Sequence, residues 1–360
     1  MNLKTAALIG TLIYLLLLTV RAYAVLSPNA FSTNPRDLNI AQTPPDAQIL
    51  TPEKMRRAPD NTFLTFPEWF LVFSPDEMAR FMETRPSSAF PYWGHIMQFW
   101  QGYRAMFDVV RDRYPLNADY HTMIAVIGAS TTIEYGMVGI YENAVGALTS
   151  SLGGLTAEDR FYAESERRYV DFLKVAPWYR FDYLGELKTM WMTTGVIGTN
   201  PIRKWERKYF LTTMYLAKAI YGFALGKASE SAYGVESEVT SVVVDRVPER
   251  MPEKSEVVER YPDGSARMLL PRYAAFADAA RALAAQGVNF REIAGNQGAI
   301  MLSYLAPASD KSVFAGYPVV LTQPILTQRP LERFALAVPS PELAATLRTV
   351  KARLEHVYDF

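Results

Sequence analysis

Five ionisable residues lie in otherwise apolar stretches of this sequence: His95, His121, Glu134, Glu142 and Lys218. Histidine exchanges protons near neutral pH, and a carboxylate in apolar surroundings can act as a general base. An ionisable residue inside a membrane is costly and is therefore a functional candidate by default. The two histidines and two glutamates are thus the catalytic candidates. The simpler interpretation is that these residues form ion pairs that hold helices together, and the sequence leaves both open.

The composition excludes several kinds of site. The chain has no cysteine and three histidines, so thiol catalysis, disulfides and Cys-based zinc sites are excluded and a His-rich metal site is not expected. P-loop, HExxH, GxSxG and ExxH patterns do not occur, so the sequence names no cofactor and predicts no metal. Basic and acidic residues balance at 37 each, so no nucleic-acid partner is expected.

The two candidate glutamates lie in the longest apolar stretch after the N-terminus, residues 121–148. Plotted as a helix, this stretch has one face of small and polar residues, which we call the small-residue ribbon: His121, Ala125, Gly128, Thr132, Gly136, Gly139, Asn143 and Gly146. Glu134 falls on the bulkier opposite side, and Glu142 lies beside the ribbon. Small residues let membrane helices approach closely, although a buried helix of a soluble domain could share the pattern. We favour a membrane helix.

The N-terminus begins with an uncharged, mostly aliphatic run at residues 5–20. This run predicts a membrane anchor over residues 1–26, in which Arg21 reaches the interface. The alternative is a signal peptide cleaved after Ala24, which would release a soluble secreted helical protein. Residues 27–60 are rich in Pro, Asn, Asp and Thr without periodicity, and they predict an extended linker.

Two further helices are predicted before the central one. Ser74-Pro75-Asp76-Glu77 is typical of a helix start, with serine as the cap and proline at the first position. Tyr92 to Arg113 predicts an amphipathic helix with an aromatic arc: Trp93, Phe99, Trp100, Tyr103 and Phe107. We expect this arc to form one apolar surface against either the membrane interface or the small-residue ribbon. The alternative is an ordinary surface helix of a soluble core.

Another long helix is predicted to begin at Asn200-Pro201. Residues 209–225 of this helix are apolar apart from Lys218. Its first turns contain four cations, Arg203, Lys204, Arg207 and Lys208. Cations before an apolar run are typical of the cytoplasmic end of a membrane span. The alternative is a buried helix with a solvated basic start.

Spans at residues 5–26, 122–148 and 209–228 give an alternating topology with the N-terminus in the cytoplasm. Residues 149–208 would then be cytoplasmic, and the C-terminal region would lie outside the inner membrane.

The middles of the second and third spans lie at the same depth, near Tyr135 and Lys218. An unpaired charge at that depth costs about 2.5–3.5 kcal/mol. We therefore predict a structural intramembrane ion pair between Glu134 and Lys218, with Glu142 as a weaker competitor.

The C-terminal residues 235–360 change to alternating strands and turns. Strands are predicted at 238–245, 257–261, 266–270, 289–293, 299–305, 319–325 and 333–338, with helices at 272–286 and 340–356. Pro262-Asp263-Gly264 and the segment 295–298 would close two hairpins. This pattern predicts a small α+β domain. Because it has no catalytic motif, its expected role is structural or a contact with another envelope protein.

Several stretches resemble a family of uncharacterised bacterial membrane-associated proteins over about residues 61–235. The resemblance rests on FPEWFLVFS, FPYWGHIMQFW, NPIRKWERKYF and the central helix from DYHTMIAVIG to GIYENAVGAL. It implies a place in the cell envelope, and it implies no activity, cofactor or site.

The sequence thus predicts a mainly α, membrane-associated region followed by a small α+β domain. The α region would have about three transmembrane or buried helices plus an amphipathic aromatic helix. The predicted domains are an anchor or signal peptide at 1–26, a linker at 27–60, a helical domain at 61–234 and the α+β domain at 235–360.

Two functions fit this organisation, and in both the lipid bilayer is the expected partner. The first is a bacterial inner-membrane scaffold, assembly or accessory protein with an interaction domain. The second is a membrane-embedded enzyme or binder of an apolar, lipid-like molecule. The second requires the four catalytic candidates to converge on one pocket, whereas scattered candidates favour the first.

Overall fold

The computed structural model describes residues 35–232 and 238–359, so the predicted N-terminal anchor lies outside the described residues. The chain forms two compact units. Unit 1 contains residues 35–68, 96–133 and 239–359, and unit 2 contains residues 69–95, 134–232 and 238. This division differs from the predicted domains, because residues 96–133 and the predicted linker belong with the C-terminal strands.

Helices dominate the chain up to residue 232. They are α1 (Asn61–Leu64), α2 (Phe66–Met82), α3 (Tyr92–Val110), α4 (Ala118–Tyr141), α5 (Ala147–Ser150), α6 (Ala157–Leu173), α7 (Tyr183–Thr193) and α8 (Pro201–Ala232). A π-helical turn, Glu142–Gly146, joins α4 to α5. The boundaries between the two units fall within α2, α3 and α4.

Unit 1 contains two antiparallel four-stranded sheets. The strands are β1 (Val239–Val244), β2 (Glu256–Arg260), β3 (Ala266–Pro271), β4 (Phe290–Ile293), β5 (Ala299–Pro307), β6 (Val319–Pro324), β7 (Leu331–Pro339) and β8 (Arg353–Val357). The first sheet has the order β2-β3-β1-β4, and the second has the order β6-β7-β5-β8. Two helices, α9 (Ala274–Ala285) and α10 (Leu343–Thr349), contribute Phe276, Leu283 and Leu343 to the same apolar core. The coarse expectation of an α+β region is confirmed.

The hairpin predicted at 295–298 is wrong. Strand β4 pairs with β1, whereas β5 pairs with β7 and β8, so the chain crosses here from one sheet to the other. The Asn296 side chain stabilises this crossover: its Oδ1 accepts from the Gly298 amide, and its Nδ2 donates to the Ala299 carbonyl. A Cβ on Gly298 would lie 2.8 Å from the Ala41 carbonyl oxygen, so the close approach of residue 41 requires glycine.

The predicted final helix at 340–356 is also too long. Helix α10 ends at Thr349, where Val350 turns to an extended conformation, and residues 353–357 form β8 on the edge of β5. The apolar residues of this stretch, Leu354 and Val357, pack against the core from a strand.

The described part of the predicted linker, residues 35–60, is an integral part of unit 1, where it is hydrogen-bonded to the strand region. The Ala299 amide donates to the Ala41 carbonyl at 2.9 Å. The amides of Leu50 and Thr51 donate to the buried carboxylate of Glu292 at 2.7 and 3.0 Å. Sequence periodicity misses such a segment, because its bonds go to distant residues.

Helix α2 begins before the predicted start at Ser74. It starts at Phe66 and contains Pro75 in its interior. The Ser74 hydroxyl does not cap the helix, because it bonds instead to His95 and Tyr135.

The aromatic residues of α3 pack on the small-residue ribbon of α4. In unit 1, a Cβ on Gly128 would collide with the rings of Phe99 and Trp100. The Trp100 indole N–H also donates to Thr132 Oγ1 at 2.9 Å. Of the two surfaces expected for the aromatic arc, the ribbon is therefore the one that these rings contact.

One helical stretch among the described residues, Ala118–Ser150, is long and apolar enough to cross a membrane. Two of the three predicted spans fall in this part of the chain: the one at 122–148 corresponds to this stretch, whereas the one at 209–228 is wrong by the same test. The predicted span at 209–228 lies in α8, whose polar side chains lower its hydropathy. Length and composition are weak evidence alone, because the core helix of a soluble protein can pass the same test.

Candidate functional site

Between residues 203 and 218, helix α8 has its charged side chains buried or half-buried in unit 2, and it also presents a row of apolar side chains at the surface. Its first cations, Arg203, Lys204, Arg207 and Lys208, are each at most 2% exposed. Six of the large apolar side chains that α8 exposes, which we call the α8 apolar row, are Ile202, Trp205, Tyr209, Leu216, Ile220 and Phe223. Because these residues recur at helical spacing, they lie on one face. A surface helix of a soluble protein has the opposite arrangement.

The start of α6 supplies partners for the first two cations. A capping box formed with Thr156 fixes Asp159 in the first turn, beside Glu158. Asp159 Oδ1 lies 2.6 Å from Arg203 Nη2, and Glu158 Oε1 lies 2.6 Å from Lys204 Nζ. Buried ion pairs therefore join α6 to α8.

The π-helical turn positions the next carboxylate. Glu142 is completely buried, and its Oε1 accepts from Ser87 Oγ at 2.8 Å and from Arg207 Nη1 at 2.7 Å. The Gly146 carbonyl at the other end of the turn accepts from Arg203 Nη1 at 3.0 Å. A Cβ on Gly146 would collide with the Glu142 carboxylate, so glycine is needed for this arrangement.

Glu206 completes the network. Its Oε2 lies 3.1 Å from Arg203 Nη1, and its Oε1 contacts Arg207 and accepts from the Tyr141 hydroxyl at 2.9 Å. Lys208 shares Glu158 with Lys204, at 3.3 Å. We call the whole set the buried ion cluster: Glu142, Glu158, Asp159, Arg203, Lys204, Glu206, Arg207 and Lys208.

The buried ion cluster contains four cations and four carboxylates, so its charges balance without a ligand. The prediction that these cations mark a cytoplasmic flank loses its basis, although the topology itself stays a prediction. The positive-inside rule concerns lysines and arginines in loops and near the ends of spans, whereas these four are enclosed and paired with carboxylates. The arrangement positions helices, and it offers no free charged group for chemistry.

Comparison with protein-family models, with curated proteins and with solved structures finds no match. The resemblance to membrane-associated proteins therefore stays a hypothesis. Function must be argued from the geometry of this chain.

The structure brings Glu134 and Lys218 together, as predicted, whereas a position of this pair inside a membrane stays a prediction. Lys218 Nζ lies 2.7 Å from Glu134 Oε1. The Lys218 side chain is 16% exposed and the Glu134 side chain is 45% exposed, so the pair reaches the surface through the carboxylate. The ammonium also lies 5.2 Å from the ring centre of Tyr169 and 5.7 Å from that of Tyr183. The pair thus ties α4 to α8, while the rings of α6 and α7 stabilise the cation.

Glu166 of α6 is a buried carboxylate that the sequence patterns do not single out. Burial raises its pKa to about 7; Lys218 lowers this pKa, and Glu134 and Glu186 raise it. A carboxyl group with this pKa exchanges its proton near neutral pH. The sequence signal is weak, because Glu166 is one of several acids in a strongly charged helix.

His95 forms a buried hydrogen-bonded chain with Ser74 and Tyr135. Ser74 Oγ lies 2.8 Å from His95 Nδ1 and 2.9 Å from the Tyr135 hydroxyl, and Glu77 Oε2 lies 3.6 Å from His95 Nε2. Serine, histidine and a carboxylate are the groups of nucleophilic catalysis. Ser74 is 2% exposed and His95 is completely buried, however, so no substrate reaches the hydroxyl in this conformation.

His121 belongs to unit 1, where its Nδ1 lies 3.0 Å from the Tyr103 hydroxyl. The four catalytic candidates therefore have four separate sets of partners. His95 contacts Ser74, His121 contacts Tyr103, Glu134 contacts Lys218 and Glu142 contacts Arg207. Among the described residues, no cluster of three or more histidine or acidic side chains could hold a metal ion.

The surface of unit 2 has both an apolar part and a charged part. Besides the α8 apolar row, α4 and the segment after it expose Met137, Ile140, Val145 and Leu148. Helix α6 exposes a charged row instead: Arg160, Glu164, Arg167, Arg168 and Asp171. The exposed surfaces of these helices therefore suit different surroundings.

Proposed function

We propose that this protein is a scaffold or accessory protein of the bacterial inner membrane, held in the lipid interface by the apolar surfaces of α4 and α8. The observation that carries the proposal is the inverted pattern of α8. Every charged side chain between Pro201 and Gly226 is buried or half-buried, while the exposed face is apolar except for Thr213. A helix gains nothing from this arrangement in water, where the apolar face would stay solvated.

The extent and composition of the α8 apolar row favour lipid. The row extends from Ile202 to Phe223, which lies 21 residues further along the chain. This separation is about 32 Å along the helix, at 1.5 Å per residue. Exposed apolar surfaces of this kind mark membrane or protein contacts. Trp205 and Tyr209 favour a membrane, because their amphipathic rings concentrate where hydrocarbon meets water.

The charged row of α6 argues against immersing all of unit 2 in the bilayer. Each charged side chain at the bilayer centre costs about 2.5–3.5 kcal/mol. An interfacial position, with α4 and α8 toward the acyl chains and α6 toward water, avoids this cost. We therefore propose an interfacial position for α8 in place of the third span.

The absence of native cysteine allows a direct test by spin labelling. Single cysteines would replace Tyr209 and Ile220 in the α8 apolar row and Met137 in α4, with Arg160 and Glu164 of α6 as matched exposed controls. In lipid nanodiscs, labels at the first three positions should collide more often with oxygen than with a water-soluble nickel chelate. Labels on α6 should show the reverse preference.

The proposal fails if labels at 209 and 220 are as accessible to the nickel chelate as those on α6. Labels that are immobilised and reached by neither reagent would mean that another protein covers the α8 apolar row. All five positions are exposed or half-buried, and the labels should therefore leave the fold intact.

The alternative of a membrane-embedded enzyme or binder has less support, because the four candidates have separate partners. The remaining support for this alternative is the set of contacts among Ser74, His95 and Glu77, which is closed to solvent. For the C-terminal α+β region, residues 235–360, we keep the role expected from the sequence, a contact with another envelope protein. The inner-membrane location, with this region on its outer side, belongs to the same proposal.

A further inference from the structure

Unit 1 contains a cavity of about 180 Å³ between α9, α10, β5 and β8. Its apolar wall includes Leu347, Val350 and Leu354, and its polar groups come from Arg281, Tyr304 and Arg353. This volume is roughly six times that of a water molecule in the liquid. An apolar wall with a few converging polar groups is the usual composition of a small-molecule site.

Tyr304 is one of the residues that line the cavity, and its hydroxyl is buried. The residue is 1% exposed, and its hydroxyl has no hydrogen-bond partner among the described residues. Burial raises the pKa of Tyr304, so the phenol keeps its proton at neutral pH and can donate it. A buried polar group without a partner calls for an explanation, and a bound acceptor is one.

Arg281 and Arg353 supply the positive charge. Both side chains are exposed, and neither makes an ion pair within the described ranges 35–232 and 238–359. Arg281 is close enough to Tyr304 to lower the pKa of its phenol, against the effect of burial. Three donors thus border one cavity, and no carboxylate among the described residues lines it.

We propose that this cavity binds a small monocarboxylate with a compact apolar body. The carboxylate would accept from the Tyr304 hydroxyl and pair with the two guanidinium groups, because arginine matches the planar geometry of a carboxylate. The apolar body would lie against Leu347, Val350 and Leu354. Inorganic phosphate lacks such a body, and a long acyl chain exceeds the volume.

The test uses the full-length purified protein and ligand-detected saturation-transfer NMR. The probes are 3-methylbutanoate, its uncharged amide, and inorganic phosphate. The carboxylate should bind, whereas the amide and the phosphate should bind at least about tenfold more weakly, since each lacks the charge or the apolar body. Tyr304→Phe, Arg281→Ala and Arg353→Ala should each weaken binding of the carboxylate about five- to tenfold.

Arg260→Ala is the matched control, because Arg260 is an exposed arginine of β2 outside the cavity. It should leave the affinity unchanged. Tyr304→Phe conserves the shape of the side chain, and a melting temperature within a few degrees of the parent would verify its fold. Equal affinities for acid and amide, no binding of the acid, or unchanged binding in all three cavity variants would each overturn the proposal and leave a water-filled cavity.

Discussion

Arg207 Nη1 lies 2.7 Å from Glu142 Oε1, and both side chains are completely buried. The carboxylate comes from the π-helical turn and the guanidinium from the second turn of α8, so the contact joins segments 65 residues apart. The interior of unit 2 thus contains paired charges as well as apolar contacts. Replacing both partners of such a pair by apolar side chains changes the free energy of unfolding little. Removing one partner, in contrast, leaves a buried charge without its counter-charge.

Arg207→Met should therefore lower the free energy of unfolding by about 3–5 kcal/mol, because it leaves Glu142 buried without its cation. Denaturant unfolding in detergent would measure the change. The double variant Arg207→Met with Glu142→Leu should recover much of the loss, since no unpaired charge remains.

Arg167→Met is the matched control for this prediction. Arg167 pairs with Glu83, and both side chains are about half exposed. Its loss should cost at most about 1 kcal/mol. Equal effects at positions 167 and 207 would contradict the burial argument.

The Glu134–Lys218 pair should respond unequally to removal of its two members. Lys218→Met leaves a carboxylate that is 45% exposed and can be hydrated, so the cost should stay near or below about 1 kcal/mol. Glu134→Gln leaves a largely enclosed ammonium and should cost more, although nearby Glu166 offsets part of the loss. Thermal unfolding of the two single variants would test this order, and the reverse order would contradict it.

Exchange of the two charges tests the structural role of the same pair. Glu134→Lys with Lys218→Glu should fold, because opposite charges again face each other. It should be less stable than the parent, since a carboxylate at 218 would face the electron-rich rings of Tyr169 and Tyr183. A parent-like melting temperature would show that these rings contribute nothing.

Much of the secondary structure follows from the sequence. The sequence predicts the helices now seen as α3, α4 and α8, and alternation predicts seven of the eight strands. The missed elements depend on distant partners. The stretch 353–357 becomes a strand because β5 offers it an edge.

Among the contacts of the candidate site, the sequence predicted only the pair of Glu134 and Lys218. Glu134 and Lys218 could be matched because both lie at the middle of an apolar run. The buried ion cluster was missed, although the spacing of its cations contains a usable signal. Arg203, Lys204, Arg207 and Lys208 share one helix face, with Ile202 and Trp205 outside it. The identity of their partners depends on the capping of α6 and on the π-helical turn, which no local pattern predicts.

Stability should fall as pH rises because of Glu166. The folded protein holds this proton up to about pH 7, whereas the unfolded chain releases it near pH 4.5, the usual range of a solvated glutamate. Between these values the folded state binds more protons, so the free energy of unfolding decreases as pH rises, by up to about 3 kcal/mol. Glu166→Gln should remove this decrease and be more stable than the parent at pH 8.

Glu164→Gln is the control for Glu166, because residue 164 is an exposed glutamate of the same helix. It should retain the parent's pH dependence. Unfolding curves at pH 5 and pH 8 suffice for the comparison. If Glu166→Gln keeps the full pH dependence, the buried carboxyl is not its source.

The last prediction separates the structural and catalytic interpretations of Ser74. Its hydroxyl bonds to both His95 and Tyr135, so Ser74→Ala leaves two buried polar groups without that partner and should cost about 1–3 kcal/mol. Ser88→Ala, which removes a half-buried hydroxyl 3.2 Å from Ser150, should cost less. Because Ser74 is enclosed, a fluorophosphonate probe for nucleophilic serines should not label the folded parent. Labelling of the parent that disappears in Ser74→Ala, with folding retained, would instead make His95 and Glu77 parts of an active site.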